Sequence, residues 1–419
     1  MELVFLISFS LLIASINMWK RHPCHPIPLY IITWSTVIGL WALDSVFSIF
    51  EYVTPSAETW TVLGIAHISF ILGSFTATMV YNTCARSDKS KYLDGDNLIG
   101  KPKISLGLAY GLFLLSFLGY IAFFAKLINV VNFSGSLVSA YRDWNYQVSY
   151  GELSLFGGIV GRLYVLPSFA IPYNVYLLTV FPTYKKQLLF ISIIEVLFMF
   201  SPRRAPLIQT IVVVFFIILL KNRKKIKISW KTITTSIGCL FFFPYTQSLL
   251  NKSVESGLVG GIKSIYLYIT GNIPAIELQL QNSVPTYGDL VFNVPFKILH
   301  KLGVISNEPD LSIPFVSLPV PFNTIPYNYY LIRDFGIVGS TIAIWIIAFV
   351  ITCLYYKVRA SNSFSILYNY SLVLMAIVFS FRENVLITYD AWYYMLLSVI
   401  VWIISKRYYY TFFIKSKEV

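Results

Sequence analysis

Five arginines stand beside or within apolar stretches, where a permanent positive charge needs an anionic partner. They are Arg142, Arg162, Arg203, Arg204 and Arg333. A guanidinium group stays protonated and presents paired N–H donors that match phosphate oxygens. An arginine at the centre of a membrane helix costs roughly 2.5–3.5 kcal/mol on insertion scales, which a bound anion would offset. These residues therefore predict a site for a lipid-linked diphosphate. The alternative is snorkelling to the interface, or an internal ion pair such as Arg333 with Asp334.

Candidates for proton transfer lie in the long segment 251–335, which carries several acids and one histidine. Its ionisable residues of this kind are Glu255, Glu277, Asp289, His300, Glu308, Asp310 and Asp334. Transfer of a group to a hydroxyl needs a base close to that hydroxyl. We select His300, the sole histidine on the predicted outer side, and Asp334, which follows Arg333. For each of these acids and for His300, the alternative is a solvated loop residue without a catalytic role.

A cluster of tyrosines and amides near residue 327 has the composition of a sugar-binding surface. Tyr327, Tyr329 and Tyr330 stand beside Asn323 and Asn328. Aromatic faces pack against sugar rings and amides bond to hydroxyl groups, so we predict substrate contacts for Asn323, Tyr327 and Tyr329. An aromatic belt at the membrane interface is the alternative.

Cysteines and histidines predict neither a metal site nor a disulfide framework. Cys24, Cys84, Cys239 and Cys353 are far apart and lie in or beside apolar stretches. The four histidines form no cluster with the spacing of metal ligands. We therefore predict no metal and no cofactor.

The elements that must position these residues are membrane helices. Of the 419 residues, 57% are hydrophobic and 12% are charged, against roughly 25% charged in a soluble domain. The net charge of +13 sits in short clusters between apolar runs, a pattern of cytoplasmic loops rather than of nucleic-acid binding. The sequence predicts an all-α polytopic integral membrane protein with about eleven spans. They are 2–18, 28–50, 61–82, 104–128, 154–181, 187–200, 207–220, 230–250, 336–356, 364–381 and 391–405.

Basic clusters set the predicted orientation, with the N-terminus outside and the C-terminus inside. Segment 187–220 has basic residues at both ends and two short apolar halves separated by Pro202 and Pro206, which predicts a hairpin. Its tip would hold Arg203 and Arg204 near the outer surface. Segment 251–335 becomes a large outer loop, with apolar pieces suited to short helices on the membrane. The whole chain, 1–419, is predicted to be one membrane domain.

Three short motifs resemble those of bacterial oligosaccharide repeat-unit polymerases, the O-antigen polymerase (Wzy) family. The run N-T-I-P-Y-N-Y-Y-L-I-R-D-F-G-I-V-G-S at 323–340 is similar to the family's loop-to-helix segment. M-F-S-P-R-R-A-P-L at 199–207 resembles its arginine-bearing turn. Y-I-T-G-N-I-P-A-I-E at 268–277 resembles the start of its large periplasmic loop. The layout of nearly the whole chain shares this resemblance.

The resemblance implies a GT-C-like membrane glycosyltransferase in the bacterial inner membrane. Its substrate would be an undecaprenyl-diphosphate-linked oligosaccharide, with no nucleotide sugar, metal or cofactor. A chain-length regulator and a flippase would be further partners, and nucleic acid would not. Arg203 or Arg204 falls at the arginine expected to face the diphosphate. Pro202 stands where a small residue is more usual, so the choice between the two stays open.

The resemblance also places Arg333 in the D-F-G segment and Arg142 in an earlier loop where the family often has an arginine. Three other functions stay open. An O-antigen ligase shares this chemistry, and a lipid-linked oligosaccharide flippase shares this composition, although the long outer loop argues against a flippase. A proton-coupled transporter is the third, for which broken helices in paired halves are lacking.

Overall fold

The computed structural model describes an α-helical protein with one two-residue strand pair. The described residues are 2–50, 52–87, 102–130, 158–199, 205–222, 257–281, 285–306, 316–318, 321–322, 324–361 and 363–415. The helices are α1 (Glu2–Arg21), α2 (Pro26–Phe47), α3 (Ala57–Ser87), α4 (Pro102–Val130), α5 (Gly158–Tyr164), α6 (Pro167–Val180), α7 (Lys185–Phe198), α8 (Ala205–Asn222), α9 (Gly257–Thr270), α10 (Asn272–Gln281), α11 (Asn293–Lys301), α12 (Tyr327–Arg359), α13 (Phe364–Val378) and α14 (Tyr389–Lys415). Strands β1 (Val316–Ser317) and β2 (Pro321–Phe322) pair antiparallel.

Several helices are long and apolar enough to cross a membrane. Within the described ranges these are Pro26–Phe47, Ala57–Cys84, Ser105–Ala125, Gly158–Val180 and Tyr327–Arg359, and the shorter apolar helices are Pro206–Lys221, Phe364–Val378 and Tyr389–Ser405. Large apolar side chains such as Leu72 and Phe75 are more than half exposed, as expected where lipid replaces water. The prediction of an all-α membrane protein is confirmed, while the number of eleven spans stays a prediction. Span 230–250 lies outside the described residues.

The predicted span 154–181 agrees with the apolar stretch Gly158–Val180, which a turn divides into two helices. α5 ends at Tyr164 and α6 begins at Pro167, with a turn at Val165 and Leu166 between them. Proline lacks an N–H and its ring clashes with the carbonyl four residues earlier, so it starts a new helix here.

The chain divides into two compact units. Unit 1 comprises 1–91, 224–357 and 373–392, and unit 2 comprises 92–223, 358–372 and 393–419. In unit 1, α1 packs on α2, and α9 packs on α2. The hydroxyl of Tyr266 donates to the carbonyl of Leu40 at 2.6 Å. The described part of segment 251–335, called the outer segment after its predicted side of the membrane, is therefore attached through α9 to a membrane helix of its own unit.

Helices α3 and α12 of unit 1 lie side by side and run in the same direction. Gly73 approaches the backbone of Trp345 so closely that an added Cβ would overlap its carbonyl group. Further along both helices, the rings of Tyr81 and Tyr356 stack with centroids 3.9 Å apart. A small residue at the crossing is what membrane helices use to bring their backbones together.

Unit 2 is built around α4, which packs against α5, α6 and α7. The rings of Phe123 and Tyr164 stack at 4.0 Å, and the ring of Tyr120 lies 4.7 Å from that of Phe198. Helices α7 and α8 occupy the two halves of the predicted hairpin 187–220. The arginines of its predicted tip, Arg203 and Arg204, lie outside the described residues.

Candidate functional site

The first turn of α12 carries the tyrosines that the sequence singles out. Pro326 precedes the helix, and the N–H of Tyr327 is satisfied by the carbonyl of Ser380 at 2.9 Å. The Tyr327 and Tyr30 hydroxyls form a hydrogen bond of 3.1 Å, and Tyr30 stacks on Phe70 with centroids 3.9 Å apart. Tyr327 is therefore a buried part of the aromatic packing of unit 1.

Tyr329 and Arg333 are one turn apart on α12 and contact each other. The Tyr329 hydroxyl donates to Gln279 Oε1 at 3.2 Å and hydrogen-bonds with the Arg333 side chain. Tyr329 is buried, whereas Arg333 is half-buried. The structure thus joins two of the predicted residues to each other and to α10.

Asp334 connects α12 to the outer segment. Its carboxylate accepts hydrogen bonds from the hydroxyl of Thr286 and from the N–H of Val291 at 2.7 Å, with a longer contact of 3.4 Å to the N–H of Leu290. The N–H of Thr286 also donates to the Arg333 carbonyl at 3.1 Å. In this arrangement Asp334 holds residues 286–291 against the helix. Its role as a base stays a prediction.

Gly336 interrupts α12 just beyond these residues. Its φ of 66° and ψ of −177° lie inside a segment that is otherwise helical on both sides. This conformation is essentially restricted to glycine because a Cβ would clash with the backbone. The short segment bearing Tyr329, Arg333 and Asp334 is therefore separate in direction from the long apolar part of the helix.

Glu277 of α10 anchors the outer segment to the start of α3. One carboxylate oxygen accepts from the Ser56 N–H at 2.8 Å and from the Ser56 and Thr59 hydroxyls at 2.7 Å each, while the other accepts from Gln281 Nε2 at 2.9 Å. Burial alone would raise the pKa of Glu277, but these four hydrogen bonds together hold it below its usual range. Glu277 therefore stays ionised and caps the first turn of α3 rather than accepting protons.

Arg382 lies in unit 1 beside the start of α12. Its guanidinium carbon is 5.8 Å from the centroid of the Tyr268 ring, and Tyr330 interacts electrostatically with both Arg382 and Glu383. Arg382 is not among the site residues predicted from the sequence. The informative signal was an arginine followed by an acid next to an apolar span, the pattern that also marks Arg333 and Asp334.

The remaining predicted residues are placed elsewhere or fall outside the described ranges. His300 lies in the last turn of α11. Its ring contact in the described part of the chain is Nδ1 to the Ile305 carbonyl at 3.2 Å, not to Arg333 or Asp334. Arg162 belongs to unit 2, where its guanidinium lies 5.8 Å from the Tyr393 ring centroid. Arg142, Arg203, Arg204 and Asn323 lie outside the described residues.

A metal site does not emerge from the part of the chain that the structure describes, where no three His, Cys, Asp or Glu side chains lie together. Comparison of the chain with protein-family models, curated proteins and solved structures finds no match in any of the three. The family resemblance therefore depends on the short motifs and the layout alone.

Proposed function

We propose that the chain is an O-antigen polymerase, a GT-C-type glycosyltransferase of the bacterial inner membrane. It joins undecaprenyl-diphosphate-linked oligosaccharide repeat units on the periplasmic side. A hydroxyl oxygen of the incoming unit attacks the anomeric carbon of the growing glycan. The bond from that carbon to the diphosphate breaks, undecaprenyl diphosphate leaves, and the hydroxyl proton passes to a base.

One observation carries the proposal: residues of the segment 277–291 are hydrogen-bonded to the start of α3 and to the first turns of α12, which carry Arg333 and the tyrosines. Glu277 bonds to Ser56 at one end of that segment, and Thr286 bonds to Asp334 further along it. Tyr329 bonds to Gln279, which stands between Glu277 and Thr286 in the chain, and it also contacts Arg333. A cation beside aromatic and amide groups, under a loop at the end of a membrane helix, suits a polar substrate on a lipid anchor.

In the proposed mechanism the arginines stabilise the charge that builds on the departing diphosphate. Arg203 or Arg204 is the first candidate for that contact, with Arg333 and Arg142 as further cations. His300 and Asp334 are the candidate bases. The tyrosines and amides at the start of α12 would contact the sugars and restrict which repeat unit is accepted.

The test is the double substitution Arg203→Ala and Arg204→Ala in cells that carry no other copy of the gene. We expect long polymer to disappear while single capped units persist, because the diphosphate loses its cations. The surface glycan is measured by gel electrophoresis. A matched control is Lys185→Ala with Lys186→Ala at the other end of α7, which should keep the normal ladder. Normal ladder lengths in the arginine variant would contradict the proposal.

Deletion of the gene separates the alternative functions. A polymerase deletion leaves glycan of one repeat unit on the surface, because ligation and flipping continue. Complete loss of surface units would indicate a ligase or a flippase instead.

A further inference from the structure

Unit 1 contains buried polar atoms that have no hydrogen-bond partner among the described residues. Asn328 is fully buried (0% exposed), and neither atom of its amide has a partner among the described residues. Thr324 Oγ1, Asn272 Oδ1 and Arg382 Nε are also buried atoms without a hydrogen-bond partner in the described ranges. A buried polar group without a partner destabilises the folded protein, because it has lost its hydrogen bonds to water without replacing them. Such groups therefore need an explanation.

These four residues belong to one junction within unit 1. The Tyr327 N–H bonds to the Ser380 carbonyl at 2.9 Å, which brings the start of α12 next to the segment that ends in Arg382. Arg382 in turn lies over the Tyr268 ring at 5.8 Å.

The turn between α9 and α10 completes the junction. Asn272 Nδ2 donates to the Tyr268 carbonyl at 2.5 Å, which ties the Asn272 side chain to the residue beneath Arg382. Thr324 and Asn328 flank Tyr327 along the chain. We define these four residues, Asn272, Thr324, Asn328 and Arg382, as the junction cluster.

The chemistry of the junction cluster discriminates between ligands. Arg382 Nε offers only a donor, and Asn272 Oδ1 only an acceptor, while Asn328 and Thr324 offer both. A deprotonated diphosphate has acceptors only and would leave the two amide oxygens unsatisfied. Sugar hydroxyls both donate and accept, and the Tyr268 ring provides an apolar face of the kind that a sugar's C–H groups contact.

We propose that the junction cluster binds one sugar residue of the glycan substrate, with Asn328 as the central hydrogen-bonding residue. This assignment rests on the proposed function and adds a sugar subsite to it. In the free protein these unsatisfied atoms lower stability, and in the complex they form hydrogen bonds to the sugar. A preformed binding site is expected to show this trade-off between stability and function.

The first experiment measures binding by calorimetry with the full chain in lipid nanodiscs. The probe is the oligosaccharide released by mild acid from the lipid-linked pool of cells that lack the gene. Asn328→Leu should weaken its binding at least tenfold, and Asn272→Leu and Arg382→Gln should also weaken it. Thr352→Val is the matched control, because Thr352 is a buried residue of the same helix whose hydroxyl, among the described residues, donates to the Ala348 carbonyl of α12.

A second readout separates recognition from a structural role. Because Asn328→Leu removes an unsatisfied buried amide, its melting temperature should equal or exceed that of the wild type. A fall of several degrees would show that the amide is satisfied by enclosed water and would overturn the proposal. Wild-type affinity in Asn328→Leu, or no binding to the wild type, would overturn it too.

A third experiment measures the binding of inorganic pyrophosphate. Its binding should be the same in the wild type and in Asn328→Leu, and a selective loss in the variant would assign the cluster to the diphosphate instead. Failure of the subsite is distinguishable from failure of the proposed function. If deletion abolishes the ladder but Asn328→Leu keeps it, only the subsite is wrong, whereas a ladder that survives deletion removes the polymerase itself.

Discussion

Carboxylates at this site serve as acceptors that hold the outer segment in place. Glu277 receives four hydrogen bonds, and Asp334 receives them from Thr286 and from backbone N–H groups. Ser56 and Glu277 are 221 positions apart in the chain. Local patterns of residue types cannot anticipate such a pairing, so the sequence suggested a solvated acid at Glu277 and a base at Asp334. What the sequence did indicate was the neighbourhood, since Tyr329, Arg333 and Asp334 all fall at one helix start.

The depressed pKa of Glu277 has a consequence for stability. A carboxyl whose pKa is lower in the folded than in the unfolded state stabilises the protein when the pH is above the ordinary pKa of 4.5. That contribution is lost as the pH falls from there through the folded-state pKa. Glu277→Gln should lower the free energy of unfolding by about 1–3 kcal/mol at neutral pH, because hydrogen bonds to a charged acceptor are lost.

Thermal unfolding of the nanodisc-embedded protein between pH 7 and pH 3 checks this prediction. The gap in melting temperature between the wild type and Glu277→Gln should close as the pH falls below 4.5. Glu58→Gln, at an exposed position in the same first turn of α3, should show a smaller gap. A constant gap across this pH range would contradict the assignment.

At the scale of elements, apolar windows located the helices well and their ends less well. The window 336–356 finds the apolar body of α12, yet the helix begins at Tyr327. Seven of the first nine residues are polar or aromatic, and their helical state depends on tertiary contacts such as Tyr327 with Ser380. The sequence did not predict the backbone conformation of Gly336 either, because a glycine near a helix start is compatible with several backbone conformations.

The two glycines Gly336 and Gly64 form a matched pair for testing the helix interruption. An added Cβ would meet nothing within 4 Å at either position, but only Gly336 has a positive φ. Gly336→Ala should therefore destabilise the protein by about 1–3 kcal/mol through backbone strain. Gly64→Ala should stabilise it by about 0.4–1 kcal/mol, because the unfolded chain loses conformational freedom.

Melting temperatures of the two variants provide the measurement. Under the proposed polymerase function, glycan ladders should also shorten in Gly336→Ala, because the segment with Tyr329 and Arg333 changes direction. Equal melting temperatures in both variants would show that Gly336 does not need its left-handed conformation.

At the scale of the whole molecule, the sequence predicted the class of protein and its membrane character. Composition and basic clusters suffice for that, since they reflect the solvent that surrounds the chain. They could not predict that α3 and α12 run in parallel within unit 1. That arrangement depends on a close backbone approach at Gly73, which no local pattern reveals.

The parallel helices give a test of orientation. Cys84 is exposed near the end of α3, whereas Tyr287, 84% exposed, belongs to the segment fastened at the start of α12. The two positions should therefore lie on opposite sides of the membrane, with Tyr287 outside. In spheroplasts, a membrane-impermeant maleimide should label Tyr287→Cys in a Cys84→Ser background. Wild-type Cys84 should react only after permeabilisation, and the reverse result would invert the predicted topology.

Helix α11 has an apolar edge that continues past its end. Ile298, Leu302 and Val304 are at least half exposed, and Lys301 is exposed beside them. Such an edge fits the boundary between acyl chains and headgroups, where acidic phospholipids attract the lysine. A neutral detergent micelle offers neither a flat boundary nor negative charge. If the chain has the glycosyltransferase activity proposed above, its rate should therefore be higher in bilayers that contain acidic phospholipid than in a neutral detergent micelle.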